Sequence, residues 1–312
     1  MTTWVIAGYC LIYLIALSAA YFQRKTFPFS ESIMVVAIIG VGFTVLVYFV
    51  SPVVETSILP AVTMPELLFT LTYLAFVSAM LVFVNPVPPA WENDFFKKKL
   101  VKLIYKLSLF VLIPLAVLRL VWHVEWSELG FSVQQLPRQL LAALVLSACF
   151  GGFNFIVGSG AKPIRAGAFS TQQLSLWFPL VFLWNVVEVG LVEEFFFRAF
   201  LQTRLTLALG SPLAGICAAS LLFGLAHAPG LYLRSGDKDG PLGAHPTLLN
   251  SILYAVVVLS PAGWFTGLLF AHTQSLLAPI LVHAAIDTVA HVSEFIRSLG
   301  SDKRIQAQET AL

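Results

Sequence analysis

The sequence predicts an all-α, polytopic membrane bundle. Three observations carry that prediction. The chain of 312 residues is 58% hydrophobic and only 11% charged, against about 25% charged in a soluble domain, and its mean hydropathy is +0.87. The apolar residues lie in runs long enough to cross ~30 Å of hydrocarbon as helices. No run alternates with the period of two that a membrane β-barrel requires.

Nine spans are expected, at roughly 4–22, 33–50, 67–84, 103–122, 139–158, 175–207, 212–228, 250–271 and 277–298, with an eight-span count as the alternative. The first run, from Trp4 to Phe22, reads as a retained span. Met1-Thr2-Thr3 carries no side-chain positive charge, and the run is long for a signal peptide. Pro28, Ser51-Pro52, Pro60, Pro65 and Asn85-Pro86-Val87-Pro88-Pro89 punctuate the runs. Gly210-Ser211-Pro212 is a tight turn, and Gly236 to Pro246 is a loop. Alternate connections carry Arg24 and Lys25, then Lys97, Lys98, Lys99 and Lys102, then Lys162 and Arg165, then Arg234 and Lys238, and the tail adds Lys303 and Arg304. The opposite loops carry little beyond Arg138 and Arg204. This bias places the N-terminus outside and the C-terminus in the cytoplasm. The net charge of +2 gives no reason to expect a nucleic-acid partner. Cys10, Cys149 and Cys217 form no CxxC pair and read as small buried apolar side chains.

A charge at membrane depth is costly, so it pairs, faces a wet cavity or does chemistry. Such groups cluster in the second half of the chain. The sixth run contains Val192-Glu193-Glu194-Phe195-Phe196-Phe197-Arg198, the seventh Phe223-Gly224-Leu225-Ala226-His227, and the ninth His283-Ala284-Ala285-Ile286-Asp287. Residues four apart share a helix face. Glu194 therefore meets Arg198, while Glu193 is turned about 100° away without such a partner. Glu193 and His227 are equidistant from Gly210. In an antiparallel hairpin both then lie ~25 Å from the turn and become neighbours. By the same counting His283 comes out shallower than Glu193. Glu188 reads as a hydrogen-bonded structural group and His291 as interfacial; His123, His245 and His272 read as solvated.

Together, in order and in separate spans, Glu-Glu-x-x-x-Arg, Phe-x-x-x-His and His-x-x-x-Asp resemble the signature of the CAAX protease and bacteriocin-processing family. These are intramembrane proteases related to the type II CAAX prenyl endopeptidase. The resemblance covers about residues 138–298, with Leu129-Gly130-Phe131-Ser132 similar to a segment that often precedes that core. It divides the chain into 1–137, four spans of unassigned role, the core at 138–298, and a short tail at 299–312. The phenylalanine-rich motif is similar to bacterial members, which implies a bacterial inner membrane.

The resemblance implies an intramembrane endopeptidase acting on a membrane-associated protein or peptide in the lipid bilayer, near the C-terminus or membrane junction of its substrate. Glu193 is then the general base that activates water, with His227 helping to bind it. His283 and Asp287 stabilise the oxyanion, Glu194 and Arg198 hold the helix, and Phe223 packs the pocket. Where asparagine is usual in the family, this chain has Asp287. An ionised carboxylate donates no hydrogen bond, so Asp287 is protonated, or orients His283, or ligates a metal. No metal is the favoured reading, because the histidines lack His-Glu-x-x-His spacing. The alternative is zinc held by Glu193, His227, His283 and Asp287. A non-proteolytic regulator or immunity protein of the same fold is the rival function. A transporter is the third class, but no broken-helix repeats are present.

Overall fold

The computed structural model describes residues 2–54, 62–233 and 241–309, with side chains described as far as Ser298. Pro60, Arg234, Gly236 and Lys238 lie outside the described residues, as do the side chains of Lys303 and Arg304. Among the described residues there is no strand, and nine helices are long and apolar enough to span a membrane. They are α1 Thr2–Phe22, α2 Phe29–Val50, α3 Met64–Phe83, α4 Phe95–Leu120, α5 Leu136–Val157, α6 Thr171–Leu209, α7 Pro212–Leu233, α8 Leu248–Thr273 and α9 Leu277–Ser298. The protein is an integral membrane protein of the all-α class. The helix carrying α9 continues to Glu309.

Local chemistry sets the helix starts. Thr63 caps α3 by accepting the Glu66 N–H, and Asp94 caps α4 by accepting the Lys97 N–H at 3.0 Å. That bond, with the Lys97 ammonium, holds the Asp94 carboxyl below its ordinary range. Ser170 and Gln173 form a reciprocal capping box at the head of α6. Gly210 closes the α6–α7 hairpin at φ +64, a left-handed geometry that suits glycine.

The outer faces are apolar: Leu11, Ile15, Phe49, Leu120 and Leu144 are exposed, as lipid-facing side chains must be. Two-thirds of the α8 span (67%) is buried against 11% of α1, so α8 is central and α1 peripheral. α9 packs on α5 and α6, α7 on α8, α1 on α7 and α8, α3 and α4 on α6. The largest apolar cluster gathers Phe195, Phe196 and Phe200 of α6 with Tyr73, Phe110 and Phe223. α6 approaches α9 closely at Gly190, where a Cβ would stand 2.6 Å from the Ile280 carbonyl oxygen. This contact lies three residues before Glu193 on one helix and three before His283 on the other.

Three expectations are corrected. Arg204 is not a loop residue: it is buried in α6 and paired with Glu66 of α3, which takes it out of the loop-charge comparison. Cys10 and Cys149 are exposed on the outer surface and only Cys217 is buried, because the apolar faces of these spans meet lipid as well as core. His272 is part-buried and hydrogen-bonded to Ser51 Oγ at 2.9 Å, whereas His123 and His245 are exposed as expected.

Candidate active site

The two consecutive glutamates of α6 point to different neighbours. Glu194 is fully buried and accepts from Arg198 Nε at 2.8 Å through one oxygen. Its other oxygen meets His283 Nδ1 of α9 at 2.6 Å. Arg198, equally buried, donates through Nη2 to Thr266 of α8 at 2.8 Å and through Nη1 to Gln202 at 3.4 Å. Gln202 in turn donates to the Gly267 carbonyl at 2.9 Å. The Arg198 guanidinium also lies over the Phe223 ring, 5.3 Å from its centroid. One buried network thus fixes α6 against α7, α8 and α9. The sequence motif predicts its first link; the hydrogen bonds to Thr266 and His283 cross between helices and leave no spacing signal. Gln202, four residues after Arg198, does lie on the face the motif defines.

Glu193 faces the other way, as the 100° step requires. Its Oε2 is 3.7 Å from His227 Nε2 and 3.9 Å from His283 Nε2, and that oxygen is buried without a hydrogen-bond partner among the described residues. The hairpin about Gly210 brings Glu193 level with His227. His283 joins them at the same depth, despite its shallower count. Residues 186–191 and 195–202 of α6 are π-helical. A π turn holds an extra residue, so α6 rises less per residue there than an ideal α-helix. His227 is 35% exposed at its side chain, Glu193 16% and His283 13%. Access to the carboxylate is therefore from the His227 side.

Tautomers follow from the partners. The Phe223 carbonyl can only accept, so His227 Nδ1, at 2.8 Å, carries the proton. Neutral His227 then presents a lone pair at Nε2 toward Glu193. Glu194 is ionised against Arg198, so His283 Nδ1–H is likewise the donor in that contact. Phe223 packs edge-on and tilted against Phe197 and His227, at 5.0 and 4.8 Å between centroids. It is therefore the wall that sets the His227 ring.

Asp287, one turn beyond His283, makes no hydrogen bond or ion pair among the described residues; Glu194, not Asp287, bonds His283. Among the described residues no three His, Cys, Asp or Glu side chains come together as a metal site. Of the four zinc candidates, Glu193 Oε2, His227 Nε2 and His283 Nε2 face one another, with His283 Nδ1 held by Glu194, and no hydrogen bond or ion pair among the described residues joins Asp287 to them. Glu188 is hydrogen-bonded to Trp184 and lies 4.0 Å from Lys99. His291 is half-buried, and its Nδ1 has no hydrogen-bond partner among the described residues.

Residues 175–289 match the family described as type II CAAX prenyl endopeptidase Rce1-like. The match takes in Glu193, Glu194, Arg198, Phe223, His227, His283 and Asp287, and leaves the first five spans outside. The match supports the CAAX protease family, as the three motifs imply, and with it a CAAX-type intramembrane protease. No curated protein and no solved structure matches the chain.

Proposed function

We propose that the protein is an intramembrane endopeptidase that hydrolyses a peptide bond near the C-terminus or membrane junction of a membrane-associated substrate, with Glu193 activating the water. The observation that carries this reading is the Glu193–His227 pair. Two acceptors, a carboxylate oxygen and a deprotonated Nε2, face each other at 3.7 Å. A water between them donates a proton to each and keeps its lone pairs for a carbonyl carbon. Glu193 takes one proton as the oxygen attacks and returns it to the leaving amine. His283 has its Nδ1–H on Glu194, so it donates to the oxyanion from Nε2 only as an imidazolium. That state neutralises the group: Glu193 and Glu194 bring two negative charges, Arg198 and His283 two positive ones. A fixed cation beside the developing oxyanion is the kind of preorganised stabilisation that lowers such barriers. No step in this scheme uses a metal.

The test is C-terminal peptide profiling of membranes from cells carrying wild-type protein or Glu193→Gln. A membrane-associated protein shortened only by the wild type supports the reading. Identical profiles refute it in favour of a non-proteolytic role.

Asp287, one turn beyond His283 on the same helix face, takes in this scheme the place of the family's asparagine beside the oxyanion. Asp287→Asn keeps nearly the same shape and supplies an amide donor, so cleavage by the purified variant is expected to stay within about threefold of wild type, well under the 10²-fold loss of an oxyanion donor. A chelator should change neither rate. A chelator-sensitive wild type restored by zinc, together with an inactive Asn variant, contradicts the scheme.

The lysines and arginines of the connections support an N-terminus outside and a C-terminus in the cytoplasm of a bacterial inner membrane. Removing Arg204 from the opposite loops strengthens that bias. A C-terminal alkaline phosphatase fusion should be inactive and a green fluorescent fusion bright. The reverse pattern excludes this orientation.

A further inference from the structure

Lys106 places a cation beside the site from α4, outside the matched family segment. Two contacts fix its position. Lys99 of α4 is 4.0 Å from Glu188 of α6, and the Phe110 ring is 4.8 Å from that of Phe196. Residue numbers rise together in the two pairs, so α4 and α6 run parallel here. Lys106 lies seven residues after Lys99 and four before Phe110, on the same face of α4. Interpolation between the two contacts brings it level with Glu193.

Lys106 is half-buried and has no hydrogen-bond or ion-pair partner among the described residues. Among the described residues no ion pair joins Lys106 to an acidic group of neighbouring α6: Glu188 meets Trp184 and Lys99, Glu194 meets Arg198 and His283, and Glu193 faces its two histidines. An ammonium inside a span without a counter-charge is costly, so its place suits an anion that arrives with the substrate. Exposed Lys102 stands one turn nearer the start of α4, and Lys98 a further turn back, paired with Glu92 at 2.9 Å. The lysines therefore form a stripe that leads from the helix start toward Glu193. A substrate cut near its end carries one anion whatever its sequence, the terminal α-carboxylate.

We propose that Lys106 is a specificity-determining residue that binds the free α-carboxylate of the substrate and so sets the cut a short distance from the C-terminus. This rests on the endopeptidase reading above.

The test uses the peptide spanning the cut found by C-terminal profiling, synthesised with a free acid or an amide end. It is given to purified wild type, Lys106→Met, Lys106→Arg and Glu193→Gln in proteoliposomes. Wild type is expected to cleave the acid with about tenfold higher kcat/KM than the amide, the scale of a partly desolvated charge pair. Lys106→Met should bring the acid-to-amide ratio of kcat/KM to about one, while Lys106→Arg retains most of the preference. Equal loss on both peptides would mean that Lys106 acts only on Glu193 or the fold, and it overturns the proposal. So does a wild type indifferent to the peptide end. Failure of the endopeptidase reading looks different: neither peptide is cut, or Glu193→Gln cuts both.

Discussion

Arg198→Ala is expected to destabilise the folded protein by about 3–5 kcal/mol, the cost of leaving one member of a buried ion pair without its partner. Arg198 is fully buried between Glu194, Gln202, Thr266 and the face of Phe223. Its loss strands the Glu194 charge and releases the α6 contacts to α8. The measurement is thermal unfolding of the detergent-purified variant, with monodispersity followed by size exclusion. Glu194→Gln combined with Arg198→Met removes both charges together and should recover part of the stability. It should not recover activity, because a neutral amide in place of the Glu194 carboxylate cannot hold His283 as an imidazolium. A stable, monodisperse Arg198→Ala protein contradicts the assigned role of the network.

Glu193→Gln is expected to do the opposite. The Glu193 oxygen that faces both histidines has no hydrogen-bond partner among the described residues, and the side chain is partly accessible. Replacing it with an isosteric amide breaks no hydrogen bond at that oxygen, so the melting temperature should stay close to that of wild type. Cleavage should fall by about 10²–10⁴-fold, the range for losing a positioned general base. The contrast between adjacent residues separates chemistry from scaffold: charge removal at 193 stops the reaction, and pair breaking at 194 or 198 dissolves the site.

Much of this was legible in the sequence because it follows from helical counting. Runs of apolar residues locate the nine spans, and the i,i+4 rule pairs Glu194 with Arg198 and turns Glu193 away. Symmetry about Gly210 brings Glu193 to His227. What counting cannot supply is the rotation, tilt and rise of one helix against another. The bond from His283 to Glu194 depends on how α9 is set against α6 at Gly190, and its depth depends on π-helical turns that spacing does not reveal. Arg204 sits near a predicted span end, where a solvated charge is the ordinary expectation; its partner Glu66 lies on a distant helix. Lys106 looks like one more member of a lysine-rich flank until α4 is laid along α6 in register.

The central claim is that Glu193 directs water onto a peptide bond, and one measurement tests it most directly. Wild type and Glu193→Gln are purified, reconstituted, and given the profiled substrate peptide in ¹⁸O-water, with products read by mass spectrometry. The account predicts a new C-terminal carboxylate carrying one ¹⁸O atom with wild type and no detectable product with Glu193→Gln. Product formed by Glu193→Gln at a rate near wild type, or wild-type product without ¹⁸O, would contradict it.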